Sequence, residues 1–333
     1  MLARVAESLF WAGRYVERAE GTSRAADVAY HTLLESPPRE IERTWDRVLD
    51  ALYLTDAYGP GGRSSLDVLT FLVGGAKNPS SITTSLVRAR ENIRSVRDHV
   101  STELWEAIND LHLTLAHRDI TADLADRPFE LLGVVRRGCT TMYGAASDTM
   151  PRDAGWRFLA LGRLLERAEM TCRLIDVGYG QLEALGGPSR RLQATDEVVR
   201  GADRTDFHQW VALLKSASAF EAYRRRYRSS MDPADVVEFL VLERQLPRSV
   251  VFCLDGALEQ IEALASGTAT TASRQVGRLV ASLKYRDVTE LFADDLHEVL
   301  HEVERDIARA AEGIADVFFR YQPTGSLHAV ATT

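Results

Sequence analysis

Arg14-Tyr15-Val16-Glu17-Arg18-Ala19-Glu20 returns later in the chain as Arg163-Leu164-Leu165-Glu166-Arg167-Ala168-Glu169, and this recurrence decides how the chain is read. Between Gly13 and Tyr30 the two stretches share Gly13/Gly162, Arg14/Arg163, Glu17/Glu166, Arg18/Arg167, Ala19/Ala168, Glu20/Glu169, Thr22/Thr171, Arg24/Arg173, Asp27/Asp176, Val28/Val177 and Tyr30/Tyr179. A second block of similarity follows at a larger but constant offset: Asp67/Asp235, Val68/Val236, Phe71/Phe239, Leu72/Leu240, Pro79/Pro247, Ser81/Ser249, Leu86/Leu254 and Ala89/Ala257. The chain reads as an internal duplication, with a first unit over 1–150, a second over 151–321 and a frayed tail over 322–333. Because the offset grows from the first block to the second, extra residues must lie between the blocks of the second copy. The glycine-rich and charged region 186–205 is the place expected for them.

Hydrophobic periodicity makes every element helical. Leu9, Ala12, Val16, Ala19 and Ala26 recur at helical spacing over 1–35 until Pro37-Pro38 ends the run. Further helices are expected over 39–57, 66–73, from Ser81 through Val100, over 101–124 and over 129–149. In the second copy they are expected over 153–185, 206–229, 232–242, from Ser249 to about 266, and over 287–320. No strand pattern is present. The fold class is therefore all-α, two tandem pseudo-equivalent multi-helix repeats packed into one helical body, with the long motif helices near one another about an approximate two-fold.

Composition narrows function. The 333 residues are 45% hydrophobic and 26% charged, as in ordinary soluble globular proteins, and the net charge is -8. That balance argues against nucleic acid or an anionic membrane as partner. No apolar run approaches the roughly 18 to 20 residues that span a bilayer, and Glu7 stands where a signal peptide would be apolar, so a cytoplasmic location is expected. Cys139, Cys172 and Cys253 are odd in number and widely spaced, the pattern of buried free thiols.

On a helix, Glu17, Glu20, Arg24 and Asp27 fall within an arc of roughly 80°, with Arg14 and Arg18 beside it. Between the copies the apolar neighbours have drifted (Phe10 to Leu159, Trp11 to Ala160, Tyr15 to Leu164) while the charges are identical. A solvated face would show the opposite, so these charges are expected in an inter-repeat ion network or a ligand site. The candidate binding set is Arg14, Glu17, Arg18, Glu20, Arg24, Arg163, Glu166, Arg167, Glu169 and Arg173. The basic, aromatic stretch Tyr223-Arg224-Arg225-Arg226-Tyr227-Arg228 joins it through Tyr223, Arg224 and Arg225, with pairing to the motif glutamates as its expected role.

These residues carry a family resemblance. Trp11 to Glu20, Gly162 to Glu169, Glu221-Ala222-Tyr223-Arg224-Arg225, and Glu238-Phe239-Leu240 through Pro247-Arg248-Ser249-Val250 resemble the bacterial alpha-E domain family, a helical domain usually in tandem duplication and named for its Glu-Arg motif. The motif pairs correspond to Glu17-Arg18 and Glu166-Arg167. Proteins similar to that family are encoded beside ATP-grasp ligases, transglutaminase-like cysteine peptidases and a proteasome-related N-terminal-nucleophile peptidase. The resemblance implies a part in a peptide synthesis or modification system, with an ATP-grasp-type ligase and a transglutaminase-like protein as partners; together with the doubled ionic motif it makes a non-catalytic or accessory component that binds a partner or peptide the leading expectation.

An enzyme of the same pathway is the alternative. His297-Glu298-Val299-Leu300-His301 matches the H-E-x-x-H pattern in which two imidazoles share a helix face and the glutamate serves as base. It lacks the usual third ligand downstream: Ile307 stands where a histidine is required, and Glu312 lies about 16 Å along the helix from His301. The expectation is two ordinary surface histidines, no metal and no cofactor. An amide-forming activity on the motif glutamates would need one of them raised toward neutrality, whereas adjacent arginines hold carboxylates ionised. His117-Arg118-Asp119 lacks the asparagine and the glycine-rich loop of a kinase.

Overall fold

Thirty-two residues without a proline or a helix-breaking glycine pair make the first element, α1 (Ala3–Leu34), the scaffold on which the others assemble. The computed structural model describes residues 1–184, 204–228 and 231–320, side chains at 181–184 and 204–206 excepted, and among these every regular element is helical. After α1 come α2 (Ile41–Ala51), α3 (Thr55–Tyr58), α4 (Ser65–Gly74), α5 (Ile82–Ser95), α6 (Thr102–Ala116), α7 (Ile120–Asp126) and α8 (Pro128–Thr149). They are followed by α9 (Ala154–Ala184), α10 (Arg204–Ser216), α11 (Phe220–Tyr227), α12 (Pro233–Val241), α13 (Val250–Leu264), α14 (Thr271–Lys284), α15 (Val288–Ala293) and α16 (Leu296–Ile314). The expected insertion at 186–205 and the tail 322–333 fall outside the described residues, apart from the start of α10. No helix searched is long and apolar enough to cross a membrane.

Four expected helices are each divided. The 39–57 run breaks after α2, where Tyr53 adopts a left-handed φ of 54°. The 101–124 run breaks at His117-Arg118-Asp119 because the Asp119 carboxylate accepts from the Ala122 amide and starts α7 anew. The 206–229 run breaks at Ser218 (φ 55°), and the 287–320 run at Asp295 (φ 63°), whose side chain caps α16. Caps of this kind satisfy the orphan amides of a helix start, so the chain changes direction without leaving them bare. The segment 271–284, assigned no element from periodicity, is a helix with a reciprocal Thr270–Ser273 capping box.

The apolar side chains form two cores that α1 and α9 interlock. Trp45, Leu49, Leu72, Leu86, Ile93, Leu104 and Met142 belong to one, together with Leu159 and Met170 from α9. Tyr223, Phe239, Leu254, Ile261, Val276, Leu300 and Ile307 belong to the other, together with Val5, Ala6, Leu9 and Phe10 from the start of α1. Each long helix thus gives some of its apolar side chains to the other core, so α1 and α9 pack directly on each other. Helix α1 also packs on α5 and α8, and α9 on α13 and α16.

Glycine permits the approach. A Cβ on Gly13 would lie far inside van der Waals contact distance of the Leu159 carbonyl oxygen, and one on Gly162 far inside that of the Phe10 carbonyl oxygen. The Gly13 carbonyl also accepts from the buried Tyr143 hydroxyl at 2.9 Å. Alanine normally stabilises a helix interior by about 0.5–1 kcal/mol relative to glycine. Here Gly13→Ala and Gly162→Ala are expected to destabilise instead, by about 1–3 kcal/mol, because backbone must move. Gly144→Ala on α8, with nothing within 4 Å of a new Cβ, is the control and is expected to stabilise. Urea unfolding of the three variants measures the sign; stabilisation by Gly162→Ala would refute the contact.

Candidate functional site

Where α1 and α9 touch, each helix presents its glutamate to the arginines of the other. The Glu17 carboxylate accepts from Arg167 (Nε to Oε1 2.7 Å, Nη2 to Oε2 2.9 Å). Glu166 accepts from Arg14 (Nε to Oε2 2.6 Å) and from Arg18 (Nε to Oε1 2.6 Å, Nη2 to Oε2 3.0 Å). The two glutamate side chains are only 3% and 2% exposed. Glu169 extends the Glu166 cluster by pairing with Arg14 and with Arg173 on the next turn. Glu20 pairs with Arg24 four residues on.

A further arginine enters from the second core. The Arg167 guanidinium donates to the Pro247 carbonyl and the Thr171 hydroxyl to the Arg248 carbonyl, both at 3.1 Å, which fixes the turn before the Ser249 cap of α13. Arg248 then donates to Glu17 (2.7 Å) and reaches Glu20 (3.4 Å). The role expected for Tyr223, Arg224 and Arg225 thus belongs to Arg248. Tyr223 is buried against Tyr227 and Phe239, Arg224 and Arg225 are exposed, and Arg226 pairs with Glu243. A sequence signal for Arg248 does exist: between the matched pairs Pro79/Pro247 and Ser81/Ser249 it replaces Ser80.

The two clusters differ in charge balance. Around Glu166 and Glu169, burial opposes the charged forms of Arg14 and Arg18, but the two carboxylates outweigh it and both arginines are raised. Around Glu17 and Glu20 four arginines converge, Arg24, Arg163, Arg167 and Arg248. Burial lowers Arg24 and Arg163, and the arginines beside them push the same way. Burial also lowers Arg248, since Glu17, shared with Arg167, does not fully compensate. Arg163 has only a 3.5 Å approach to Glu17, its guanidinium lies 3.9 Å from the Tyr143 ring centroid, and its buried Nε has no hydrogen-bond partner among the described residues. Its side chain is 35% exposed and that of Arg248 20%, so this cluster opens to solvent.

Elsewhere, the three cysteines are free and buried, and burial pushes the Cys253 thiol up to about 12, far from a reactive thiolate. His297 and His301 share a face of α16, and the face is not bare: Asp176 of α9 lies against it, with a carboxylate oxygen 2.6 Å from His297 Nδ1 and the other 3.5 Å from His301 Nε2.

Interlocked long helices joined by crossed Glu-Arg pairs define this as a helical-bundle protein built around a buried ionic seam. A family model described as "a predicted alpha-helical domain with a conserved ER motif", Alpha-E, matches residues 1–319, and the chain belongs to that family. It is 26% identical over 343 aligned positions to Uncharacterized protein Mb2597 of Mycobacterium bovis and to Uncharacterized protein Rv2567 of Mycobacterium tuberculosis, covering 94% of this chain and 36% of each relative. The chain therefore spans about a third of the length of the curated relatives it matches. No solved structure matches.

Removing one member of a buried pair typically costs about 3–5 kcal/mol, because the other charge stays buried alone. Glu166→Gln and Arg167→Met are each expected to fall in that range, measured by urea unfolding. Acid should act in the same way. Burial alone would raise Glu166, but Arg14 and Arg18 outweigh it and hold it down at about 2. Glu17 is likewise lowered, by Arg167 and Arg248 against burial. A lowered carboxylate contributes its stability in full above the unfolded value of about 4.3 and loses it as pH falls toward the folded value. Thermal stability is expected to be flat from pH 7 to about 5 and to fall steeply from about 4.3 toward 2, with a shallower fall in Glu166→Gln.

Proposed function

We propose that the chain is a non-catalytic helical component that binds an anionic group, a peptide carboxylate foremost, at the arginine-rich side of the α1–α9 crossing. The observation that carries this reading is the local surplus of cations, with Arg24, Arg163, Arg167 and Arg248 gathered on Glu17 and Glu20 alone. A buried guanidinium short of a counter-charge is costly, and an incoming carboxylate would offset that cost while using the planar fork of arginine for paired hydrogen bonds. Of the four, Arg163 and Arg248 are the most exposed and would make the contact. Arg14, Glu17, Arg18, Glu20, Arg24, Glu166, Arg167, Glu169 and Arg173 would form the frame that holds them.

The same proposal takes 1–150 and 151–321 as two pseudo-equivalent repeats related across the crossing. It is supported by the exchanged contacts of Gly13 with Leu159 and of Gly162 with Phe10, and by the exchanged Glu-Arg pairs. Family resemblance supplies the setting, an accessory role in peptide synthesis or modification beside an ATP-grasp-type ligase and a transglutaminase-like protein. In that setting the ligand is an acidic peptide or an acidic segment of one of those partners.

Arg163→Gln separates binding from folding, since Arg163 has the weakest hold on Glu17. Titration calorimetry with a glutamate-rich peptide, set against its glutamine-substituted and amidated twin, is expected to show binding of the acidic peptide only. Losing a charge-assisted hydrogen bond worth about 1.5–3 kcal/mol should weaken binding by roughly 10-fold to 100-fold while the melting temperature barely moves. No binding of the acidic peptide, or equal binding by Arg163→Gln, overturns the proposal.

A further inference from the structure

Asp27 and Asp176 occupy matching positions on the two motif helices, yet an arginine faces the first and two histidines face the second. Asp27 accepts from Arg136 of α8 at 2.6 Å, which neutralises it. Pro128 and Leu296 open α8 and α16, and their separation in sequence equals the offset of the second similarity block. By that register the counterpart of Arg136 is Glu304, the counterpart of Phe129 is His297, and that of Gly133 is His301. The guanidinium that would neutralise Asp176 is thus replaced by a second carboxylate, and two imidazoles are added.

We infer that Asp176, His297 and His301 form a binding site for a divalent transition metal ion, zinc in the first place. One ligand atom from each of the three lies within 4.8 Å of the others. The two rings pack edge to face with centroids 4.3 Å apart, as their spacing of four residues on one helix face brings about. Imidazole nitrogen binds zinc at about 2.0–2.1 Å and carboxylate oxygen at about 2.0–2.2 Å, so three tetrahedral ligands stand roughly 3.4 Å apart. The 3.5 Å between Asp176 Oδ2 and His301 Nε2 already meets this. The 2.6 Å between Asp176 Oδ1 and His297 Nδ1 must widen, and His297, with its side chain 54% exposed, is the one free to swing.

The surroundings favour a cation. Glu304, one turn beyond His301 on the same face, is 10% exposed, and its buried Oε1 has no hydrogen-bond partner among the described residues. Its Oε2 accepts from the Tyr53 hydroxyl at 2.6 Å. Arg173, which faces Glu304 from α9, pairs with Glu169, lies over the Tyr53 ring and comes only within 3.9 Å of Glu304. Two nitrogens and one oxygen suit zinc over magnesium or calcium, which prefer oxygen ligands. Three protein ligands on a solvent-facing seat leave the fourth position to water, the open form of zinc coordination. None of the three ligands belongs to the arginine site, so the two proposals can be tested separately.

The test uses the full chain without an affinity tag, stripped with chelator and titrated calorimetrically with zinc chloride, then with magnesium chloride. Saturable binding of a single zinc ion per chain is expected, with a melting temperature that rises with zinc concentration and does not respond to magnesium. Loss of groups that merely support a ligand already weakens metal sites by about 10-fold to 100-fold, so His301→Ala and His297→Ala should each weaken zinc binding by at least about tenfold. His297→Ala, at the exposed position, guards against a folding defect, and circular dichroism checks that each variant remains helical. Cobalt(II) substitution should give the visible absorption of tetrahedral coordination in the parent chain and lose it in both variants. Absence of saturable zinc binding, or binding unchanged in both folded variants, overturns the inference.

Discussion

The backbone contact between α1 and α9 is the constraint on which the rest depends. Only glycine at 13 and 162 lets the two helices approach this closely, and only at this separation do Glu17 and Glu166 reach the arginines opposite. Desolvated carboxylates tolerate little error. A slip of one helical turn, about 5.4 Å, would leave both glutamates buried without partners. The apolar exchange between the cores holds the crossing together, and the ionic seam adds a penalty for every other register.

At positions matched by the internal sequence similarity, the surroundings of the α1–α9 crossing differ in charge. Ser80 in the first similarity block is matched by Arg248 in the second, which adds a fourth arginine to the two carboxylates Glu17 and Glu20. Arg136, which pairs with Asp27, is matched in sequence by Glu304, and Asp176 meets two histidines instead. Around the second change the buried apolar pattern is kept. The apolar positions support this: Leu131, Leu132, Val135 and Cys139 of α8 are buried, as are Val299, Leu300, Val303 and Ile307 of α16.

Much of the helical character is legible in the sequence, because apolar spacing, proline pairs and Ser caps each report on local backbone. The drift of Phe10 to Leu159 and Trp11 to Ala160 around unchanged charges points to charged groups facing protein rather than water, where the structure places them. What local patterns miss are non-local or conformational facts. Breaks at Tyr53, Ser218 and Asp295 depend on left-handed backbone at residues that do not advertise it. Pairing of Arg248 with Glu17 spans 231 positions, and a cluster conspicuous for its density of arginines, 224–228, yields to a single arginine placed by a turn. The H-E-x-x-H stretch directs attention along its own helix, whereas the carboxylate that meets its histidines, Asp176, comes from a helix packed across it.

Burial divides the Glu-Arg motif between inaccessible and accessible side chains. Glu17, Glu166 and Arg167 are nearly inaccessible and spend their hydrogen-bonding capacity within the seam, so any substitution there reports on folding first. Arg163 holds the same sequence position as Arg14, yet Arg14 is saturated by Glu166 and Glu169 while Arg163 shares Glu17 with Arg167 and Arg248. Equal side chains at matching positions therefore differ in free donor capacity, and Arg248 is one of the two arginines with which Arg163 shares Glu17. Arg163 thus stands at the rim of the seam with a donor its neighbours do not use, while the buried pairs beneath it are complete.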